Sequence, residues 1–321
     1  MFIESMISFL LASVFSSYSQ PNIAIQNPTE LGSISFVAQN MGGDTGVGDI
    51  LLNTKKNPER VPHKIKGLPE SLGISITAHS AIVVDEDSGT ILFSKNPDEK
   101  RPIASLSKLM TAMVFLENNP GWNVSVEVQQ KHRTVGSNMK VPNGTQLTTK
   151  QLFDLMLIGS KNDAALALVE ATSLSQYAFV RKMNEKSIAL GLDTTFFVEP
   201  TGLNENNVSS ATDIAKMLHF ALEYPEIQKS TSTNFYFGPD FIEANTNLDL
   251  LESYLNDKVS YTIVGGKTGF ITESGYCLTS MFQNSEDNTI IAVALGSDDI
   301  TARHHEVKAM ATWTYDNYDW R

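Results

Sequence analysis

The sequence contains a single cysteine, Cys277, among its 321 residues. An intramolecular disulfide is therefore excluded. A zinc site is not expected either, because the sequence has neither a cysteine cluster nor a His-Glu-x-x-His motif. Cys277 lies in an apolar, strand-like pattern, which predicts that its thiol is buried.

Basic residues are also scarce. The 24 lysines and arginines are outnumbered by 36 aspartates and glutamates, which gives a net charge of -12 at pH 7. This balance argues against binding to nucleic acid and against charge-driven docking on anionic lipid. The six histidines do not indicate a Ser-His-Asp hydrolase, because the sequence has no Gly-x-Ser-x-Gly nucleophile elbow.

The first apolar run is too short to span a bilayer comfortably. It covers residues 6–15, whereas a transmembrane helix needs about 20 residues. This length is typical of a signal peptide, although no lysine or arginine precedes the run. We therefore predict a signal peptide or N-terminal anchor over residues 1–19 and an extracytoplasmic location. Residues 20–66, rich in Asn, Ser, Gly and Pro, are predicted to form a flexible linker.

The remaining sequence, residues 67–321, is patterned as one domain of strands and helices. A hairpin is predicted by two apolar runs, residues 80–85 and 90–94, around an Asp-Ser-Gly turn. Three further strands are predicted at 260–267, 276–283 and 289–295. A terminal helix should follow over 301–317, with one apolar face formed by Val307, Met310 and Trp313.

A mainly helical stretch separates the hairpin from the later strands. Its predicted helices cover residues 150–158, 163–171, 175–190 and 212–222. Strands from both ends must pair across this insertion, so we predict an α/β (α+β) fold. It consists of one antiparallel five-stranded sheet with flanking helices and an inserted helical lobe. The sheet lobe would take residues 67–117 and 258–321, and the helical lobe about 118–257.

The first of three short polar motifs is Ser105-Leu106-Ser107-Lys108, at the start of an apolar helical run. Residues at i and i+3 share a helix face, so Lys108 can reach the Ser105 hydroxyl. A serine needs an adjacent base to become a good nucleophile. A lysine can be that base when burial or a second cation lowers its pKa. We therefore predict Ser105 as a nucleophile and Lys108 as its base.

The second motif is Ser160-Lys161-Asn162, which falls between two predicted helices. The hydroxyl of Ser160 is predicted to pass a proton between Lys108 and the leaving group. The side-chain amide of Asn162 could hold Lys108 or the substrate. On this interpretation, the helical lobe contributes one wall of the site.

The third motif is Lys267-Thr268-Gly269, on a predicted strand. Lys267 is the candidate cation beside Lys108, and Thr268 adds a hydroxyl. The side chains missing at glycines 265, 266 and 269 suit a strand edge that lies close to a substrate backbone. The backbone N–H groups of Ser105 and Phe270 are the expected oxyanion donors.

At these motifs the chain resembles the penicillin-binding serine peptidases, most closely the D-alanyl-D-alanine carboxypeptidases of low molecular mass. The matching segments are residues 103–112, 159–165, 200–203, 266–269 and 275–278. The resemblance covers residues 67–321 and implies a β-lactamase/transpeptidase-like fold.

The resemblance implies an enzyme that removes the terminal D-alanine from peptidoglycan stem peptides through an acyl-enzyme, and that β-lactams inhibit. The implied catalytic residues are Ser105, Lys108 and Ser160. The implied substrate-binding residues are Lys267, Thr268, Asn162, Gly269 and Phe270, the first two holding the terminal carboxylate. Neither a metal nor an organic cofactor is implied, and a membrane would be contacted only through the N-terminal segment.

Several alternatives remain open. The segment Glu199-Pro200-Thr201-Gly202-Leu203-Asn204 is similar to the one with which class A β-lactamases activate a deacylating water, although it is one residue longer. The acyl-enzyme could instead be resolved by transpeptidation, or the enzyme could act as an endopeptidase on cross-links. A cell-wall binding protein could also use this scaffold, although it would have no need of Lys108.

Overall fold

The computed structural model describes residues 60–66, 73–134, 139–238, 243–246, 248 and 261–321. The predicted signal peptide or anchor (1–19) and residues 20–59 of the predicted linker lie outside this range. No helix among the described residues combines the length and the apolar character that crossing a membrane requires.

The described residues form strands near both ends of the chain and most of the helices between them. The strands are β1 (Pro62–Lys64), β2 (Ser80–Asp85), β3 (Ile91–Lys95), β4 (Arg101–Pro102), β5 (Ser125–Glu127), β6 (Gln146–Thr148), β7 (Val208–Ser209), β8 (Phe235–Phe237), β9 (Glu243–Asn245), β10 (Tyr261–Ile271), β11 (Gly275–Asn284), β12 (Thr289–Ser297) and β13 (Tyr318–Trp320). The helices are α1 (Ser107–Glu117), α2 (Thr149–Ile158), α3 (Asn162–Ala171), α4 (Gln176–Ala189), α5 (Ala211–Leu222), α6 (Pro225–Thr231) and α7 (Ile300–Asn317).

The central sheet has the strand order β10-β11-β12-β2-β3, and every neighbouring pair is antiparallel. This confirms the predicted five-stranded sheet built from both ends of the chain. Its middle strands read as continuous apolar runs because helices cover both faces. In β12, Ile291, Val293 and Leu295 point toward the larger core, and the alternate residues Ile290, Ala292 and Ala294 toward the smaller one.

The two cores lie on opposite faces of the sheet. Helix α7 covers the smaller core with the predicted apolar face, in which Val307 and Met310 are fully buried and Trp313 is partly buried. Helices α1 to α6 cover the larger core. Helix α1 contacts each of α2 to α6, which explains why its sequence is apolar on nearly every side.

Strand β1 lies inside the range predicted as a linker. Its three residues pair with β13 at the other end of the chain, from Pro62 opposite Trp320 to Lys64 opposite Tyr318. The indole of Trp320 also donates a 2.6 Å hydrogen bond to the buried Asp85 carboxylate. A three-residue strand whose partner lies about 250 residues away leaves no local pattern in the sequence, so composition alone extended the linker too far.

An aromatic cluster joins α1 to α2, and it provides a test of this packing. Phe115 is fully buried, and its ring centroid lies 5.8 Å from that of Phe153 and 6.0 Å from that of Trp122. We expect Phe115→Ala to lower the free energy of unfolding by about 3–5 kcal/mol in urea denaturation. Tyr177→Ala, at an 80% exposed position, should change it by less than about 0.5 kcal/mol. Equal losses for the two variants would contradict this packing.

Candidate active site

Ser105 lies in a tight turn between β4 and α1. The turn is a short 3-10 segment, Ala104–Leu106, so α1 itself begins at Ser107, two residues after the predicted helix start. Ala104 has a φ of 47°, in the left-handed region that a non-glycine residue rarely adopts. The backbone therefore turns sharply just before Ser105 and leaves its side chain half-buried.

Lys108, one helical turn further on, is completely buried. Its Nζ donates hydrogen bonds to Ser105 Oγ at 2.8 Å, to Asn162 Oδ1 at 2.7 Å and to the Thr201 carbonyl. These acceptors come from the turn Ala104–Leu106, named the nucleophile turn after the predicted nucleophile Ser105, from the first residue of α3 and from the loop before β7. Three separate chain segments thus meet at one amine.

Burial lowers the pKa of Lys108 to about 7, because removal from water disfavours the charged ammonium. The negative charge of Glu199 acts in the opposite direction and raises this pKa. A large fraction of Lys108 is therefore neutral near pH 7. The sequence pointed to Lys267 as a cause of the shift, whereas the structure attributes it to burial.

Lys267 is the second buried lysine of the site. Its Nζ donates to Ser160 Oγ at 2.8 Å and to the Thr268 carbonyl at 3.0 Å. Burial lowers the pKa of Lys267 well below its usual range, and repulsion from Lys108 and Arg303 lowers it further. The structure thus brings Lys108 and Lys267 close enough for their charges to interact.

Ser160 connects α2 to α3 in a left-handed conformation, with a φ of 54°. This single residue reverses the chain so that its hydroxyl meets Lys267, while Asn162 two positions later meets Lys108. The second motif therefore bridges the two lysines. Ser160 and Asn162 are both half-buried.

Strand β10 passes beside the nucleophile turn at Gly269. A Cβ atom on Gly269 would lie 2.9 Å from the Ile103 carbonyl oxygen and 3.1 Å from the Ser105 nitrogen. Any larger side chain would therefore push the strand away from Ser105. Thr268 is buried on this strand, and Phe270 is half exposed, with its ring centroid 4.3 Å from that of Tyr276.

The other two glycines near Lys267 have a different role from the one predicted. A Cβ on Gly266 would lie 2.5 Å from the Thr279 carbonyl oxygen of the neighbouring strand β11. A Cβ on Gly265 would lie 2.6 Å from Thr231 Oγ1 at the end of α6. These two glycines allow close packing inside the protein, and of the three only Gly269 lies against the turn that contains Ser105.

Sequence reasoning missed two further contributors to the site. Arg303 of α7 donates a 3.1 Å hydrogen bond to the Gly269 carbonyl and lies 5.5 Å from the centre of the Tyr276 ring. Nothing in the spacing of the sequence connects Arg303 with β10. The second contributor is the Thr201 carbonyl, which is a backbone group and so has no side-chain signature.

Two other features complete the description of the site. Cys277 is buried as predicted, and burial raises the pKa of its thiol. No group of three or more His, Cys, Asp or Glu side chains within the described ranges could hold a metal ion.

A buried lysine that is hydrogen-bonded to a serine at a helix start is the arrangement of a Ser-Lys acyl-transfer enzyme.

Comparison with known proteins identifies the family. The sequence model of the D-alanyl-D-alanine carboxypeptidase family matches residues 66–299, and the chain belongs to this family. It is 34% identical over 240 residues to a D-alanyl-D-alanine endopeptidase of Pseudomonas aeruginosa, covering 72% of this chain and 75% of that protein. It is 32% identical over 253 residues to the D-alanyl-D-alanine carboxypeptidase DacF of Bacillus subtilis, covering 75% of this chain and 63% of DacF.

A solved structure with the same fold is penicillin binding protein 5 from Haemophilus influenzae. It superposes with a TM-score of 0.71 at 28% sequence identity, over 78% of this chain and 74% of that one. These findings confirm the family and the fold that the three motifs predicted.

The loop before β7 lies close to the nucleophile turn, and this contact can be tested at Gly202. A Cβ there would lie 2.0 Å from the Ala104 carbonyl oxygen, whereas one on Gly191 would meet nothing within 4 Å. Both glycines have positive φ, 85° and 64°, so each of the two alanine variants also carries some backbone strain. We expect Gly202→Ala to slow labelling of the protein by a fluorescent penicillin at least about tenfold more than Gly191→Ala does. Equal labelling rates would contradict the close contact.

Proposed function

We propose that this chain is a serine-type D-Ala-D-Ala carboxypeptidase that removes the terminal D-alanine from peptidoglycan stem peptides. The observation that carries the proposal is the 2.8 Å contact between Ser105 Oγ and the fully buried Nζ of Lys108, whose pKa is lowered to about 7. A general base is most effective when its pKa lies near the working pH.

In the proposed acylation step, neutral Lys108 takes the proton of Ser105 as the hydroxyl attacks the carbonyl between the two D-alanines. A neutral amine has two N–H donors and one lone pair. The Asn162 side chain and the Thr201 carbonyl can accept the two donors, which leaves the lone pair directed at the Ser105 hydroxyl. The N–H groups of Ser105 and Phe270 would stabilise the oxyanion.

The departing D-alanine needs a proton, and we propose that Ser160 relays to it the proton that Lys108 took from Ser105, so that Lys108 is neutral again. The hydroxyl of Ser160 accepts a hydrogen bond from Lys267, which lies on the strand proposed to bind the substrate. Lys267 and Thr268 would hold the terminal carboxylate of the peptide, through charge and a hydroxyl hydrogen bond. Water would then hydrolyse the ester on Ser105, with Lys108 again taking a proton. A β-lactam would acylate the same Ser105 hydroxyl with its opened ring, and water would hydrolyse that ester more slowly.

A second candidate is a D,D-endopeptidase that cleaves existing cross-links. The relative from Pseudomonas aeruginosa that carries the endopeptidase name is at least as similar to this chain as the carboxypeptidase DacF, and more of its length is matched. Both activities use the same acyl-enzyme and differ in the group that leaves. Digestion of a cross-linked muropeptide dimer, compared with a linear pentapeptide, separates endopeptidase from carboxypeptidase action.

Fast β-lactam hydrolysis is less well supported. It would require Glu199 to activate a water at the acyl-enzyme, but both oxygens of this carboxylate accept hydrogen bonds from its own loop. A purely binding role is also less well supported, because binding alone does not require a fully buried lysine that is hydrogen-bonded to a serine hydroxyl.

We further propose that the enzyme acts on the cell-wall side of the membrane. Its family acts on D-alanyl-D-alanine peptides, the chemistry of peptidoglycan, which lies outside the cytoplasm. Attachment through the segment before residue 20 would be consistent with the apolar run at 6–15. The partners would be the stem peptide as substrate and β-lactams as inhibitors.

The nucleophile assignment predicts a covalent adduct at one residue. We expect the wild-type chain to gain the mass of one fluorescent penicillin, on the peptide that contains Ser105, and to release D-alanine from a pentapeptide. Ser105→Ala should do neither, because no other hydroxyl contacts Lys108 Nζ among the described residues. Ser125→Ala, on an exposed hairpin, is the control and should behave as wild type. An adduct that persists in Ser105→Ala would contradict the proposal.

The base assignment predicts a pH dependence. Below a pKa of about 7 the Lys108 ammonium has no lone pair, so it cannot accept the Ser105 proton. We expect the second-order rate of penicillin acylation to rise with pH, with a midpoint near 7, and Lys108→Gln to lose this rise along with most of the rate. Stopped-flow fluorescence between pH 5 and pH 9 measures the profile. A flat profile over this range would exclude Lys108 as the base.

A further inference from the structure

The carboxylate of Glu199 accepts hydrogen bonds mainly from the loop that contains it. One oxygen accepts hydrogen bonds from the Thr201 N–H and the Thr201 hydroxyl, both at 2.6 Å. The other accepts from the Gly202 N–H at 2.5 Å and the Asn204 N–H at 3.3 Å. Hydrogen bonds to a charged acceptor are stronger than those to a neutral one, so this side chain fixes the path of residues 199–204.

Asn207 fastens the same loop to the nucleophile turn. Its side chain is fully buried and donates to the Glu199 carbonyl at 2.8 Å, to a Glu199 carboxylate oxygen at 3.2 Å and to Ser107 Oγ at 3.0 Å. Its backbone carbonyl accepts from the Ile103 N–H at 3.1 Å. The Glu199 carboxylate and the turn that carries Ser105 are thus joined through one amide.

Helix α1 holds the loop on the other side. The Thr111 hydroxyl donates a 2.7 Å hydrogen bond to the Pro200 carbonyl, and the Lys108 amine donates to the next carbonyl, that of Thr201. Two successive carbonyls of the loop therefore face α1. The Thr201 carbonyl shares its peptide plane with the Gly202 N–H, and the preceding peptide plane contains the Thr201 N–H. Glu199 accepts hydrogen bonds from both N–H groups and so fixes the direction of this carbonyl.

We infer that Glu199 is a positioning residue, which fixes the Thr201 carbonyl where it accepts a hydrogen bond from Lys108 and thereby aims the lone pair of Lys108 at Ser105. The inference rests on the proposed function, in which Lys108 is the base. Glu199 acts through Thr201 and has no contact with the reacting atoms.

The charge of Glu199 supplies a separate signature. Two charged groups face Lys108: Glu199 from the loop raises the pKa of Lys108, and Lys267 on β10 has its own pKa lowered by repulsion from Lys108. Of these two groups, Glu199 is the one that favours the charged ammonium of Lys108. Removing its negative charge should therefore lower the pKa of Lys108. Lys108 would then lose its proton at lower pH, an effect that simple loosening of the fold would not produce.

The test uses the full-length chain and three variants. Glu199→Gln keeps the shape of the side chain but places an NH2 group where backbone N–H groups donate, Glu199→Asp keeps the charge on a shorter arm, and Glu205→Gln is the matched control. Glu205 lies exposed in the same loop. The readout is the second-order rate of acylation by a fluorescent penicillin across pH 5–9, with thermal melting of each variant.

We expect acylation by Glu199→Gln at pH 8 to be at least about tenfold slower than wild type, as expected when a charge-assisted hydrogen bond is lost. The midpoint of its pH profile should move to lower pH. Glu199→Asp should retain the wild-type midpoint, with an intermediate rate, and Glu205→Gln should match wild type in both respects.

The outcomes separate this inference from the proposed function. If the wild type is acylated at Ser105 and Glu199→Gln matches Glu205→Gln in rate and midpoint, the positioning role is wrong and the proposed function stands. If Glu199→Gln does not fold, the acylation rate of Glu199→Asp is the test. A rate equal to that of the wild type would then overturn the inference. If the wild type is not acylated at all, the proposed function itself fails.

Discussion

The hydrogen bonds of Lys108 hold the candidate active site together. A lysine removed from water is costly unless its polar hydrogens find acceptors. Here the acceptors come from the nucleophile turn, from α3 and from the loop before β7, so those three segments must fold around the amine together. The same burial that demands these partners also lowers the pKa of Lys108 toward neutrality. The hydrogen bonds that join the three segments and the lowered pKa that the proposed mechanism requires therefore have one physical cause, the burial of Lys108.

The site contains two lysine-serine pairs in sequence-distant positions. Lys108 contacts Ser105, and Lys267 contacts Ser160. Both lysines are buried and their charges repel each other, so the doubly charged state is the least favourable one. This arrangement supports a division of roles, in which one amine accepts a proton while the other remains available to attract a carboxylate. Asn162, which contacts Lys108 and follows Ser160 by two positions, keeps the two pairs in a fixed relation.

The parts of this account that could be predicted from sequence are those with local signatures. The spacing of Ser105 and Lys108, the apolar runs of the sheet and the amphipathic pattern of α7 all follow from periodicity, and the structure has these elements within a few residues of the predicted bounds. Contacts between distant segments leave no such pattern. The Thr201 carbonyl at Lys108, the packing against Gly265 and the pairing of Pro62–Lys64 with the C-terminus depend on which chains meet in three dimensions.

The protonation state of Lys108 in the folded enzyme can be observed without any substrate. Nuclear magnetic resonance of protein labelled with 13C at the lysine Cε reports the titration of each lysine, and comparison with Lys108→Arg identifies the signal of Lys108. We expect this signal to titrate near pH 7, whereas an ordinary lysine titrates near about 10.4. A Lys108 signal that stays in its charged position up to pH 9 would contradict a neutral base and, with it, the proposed mechanism.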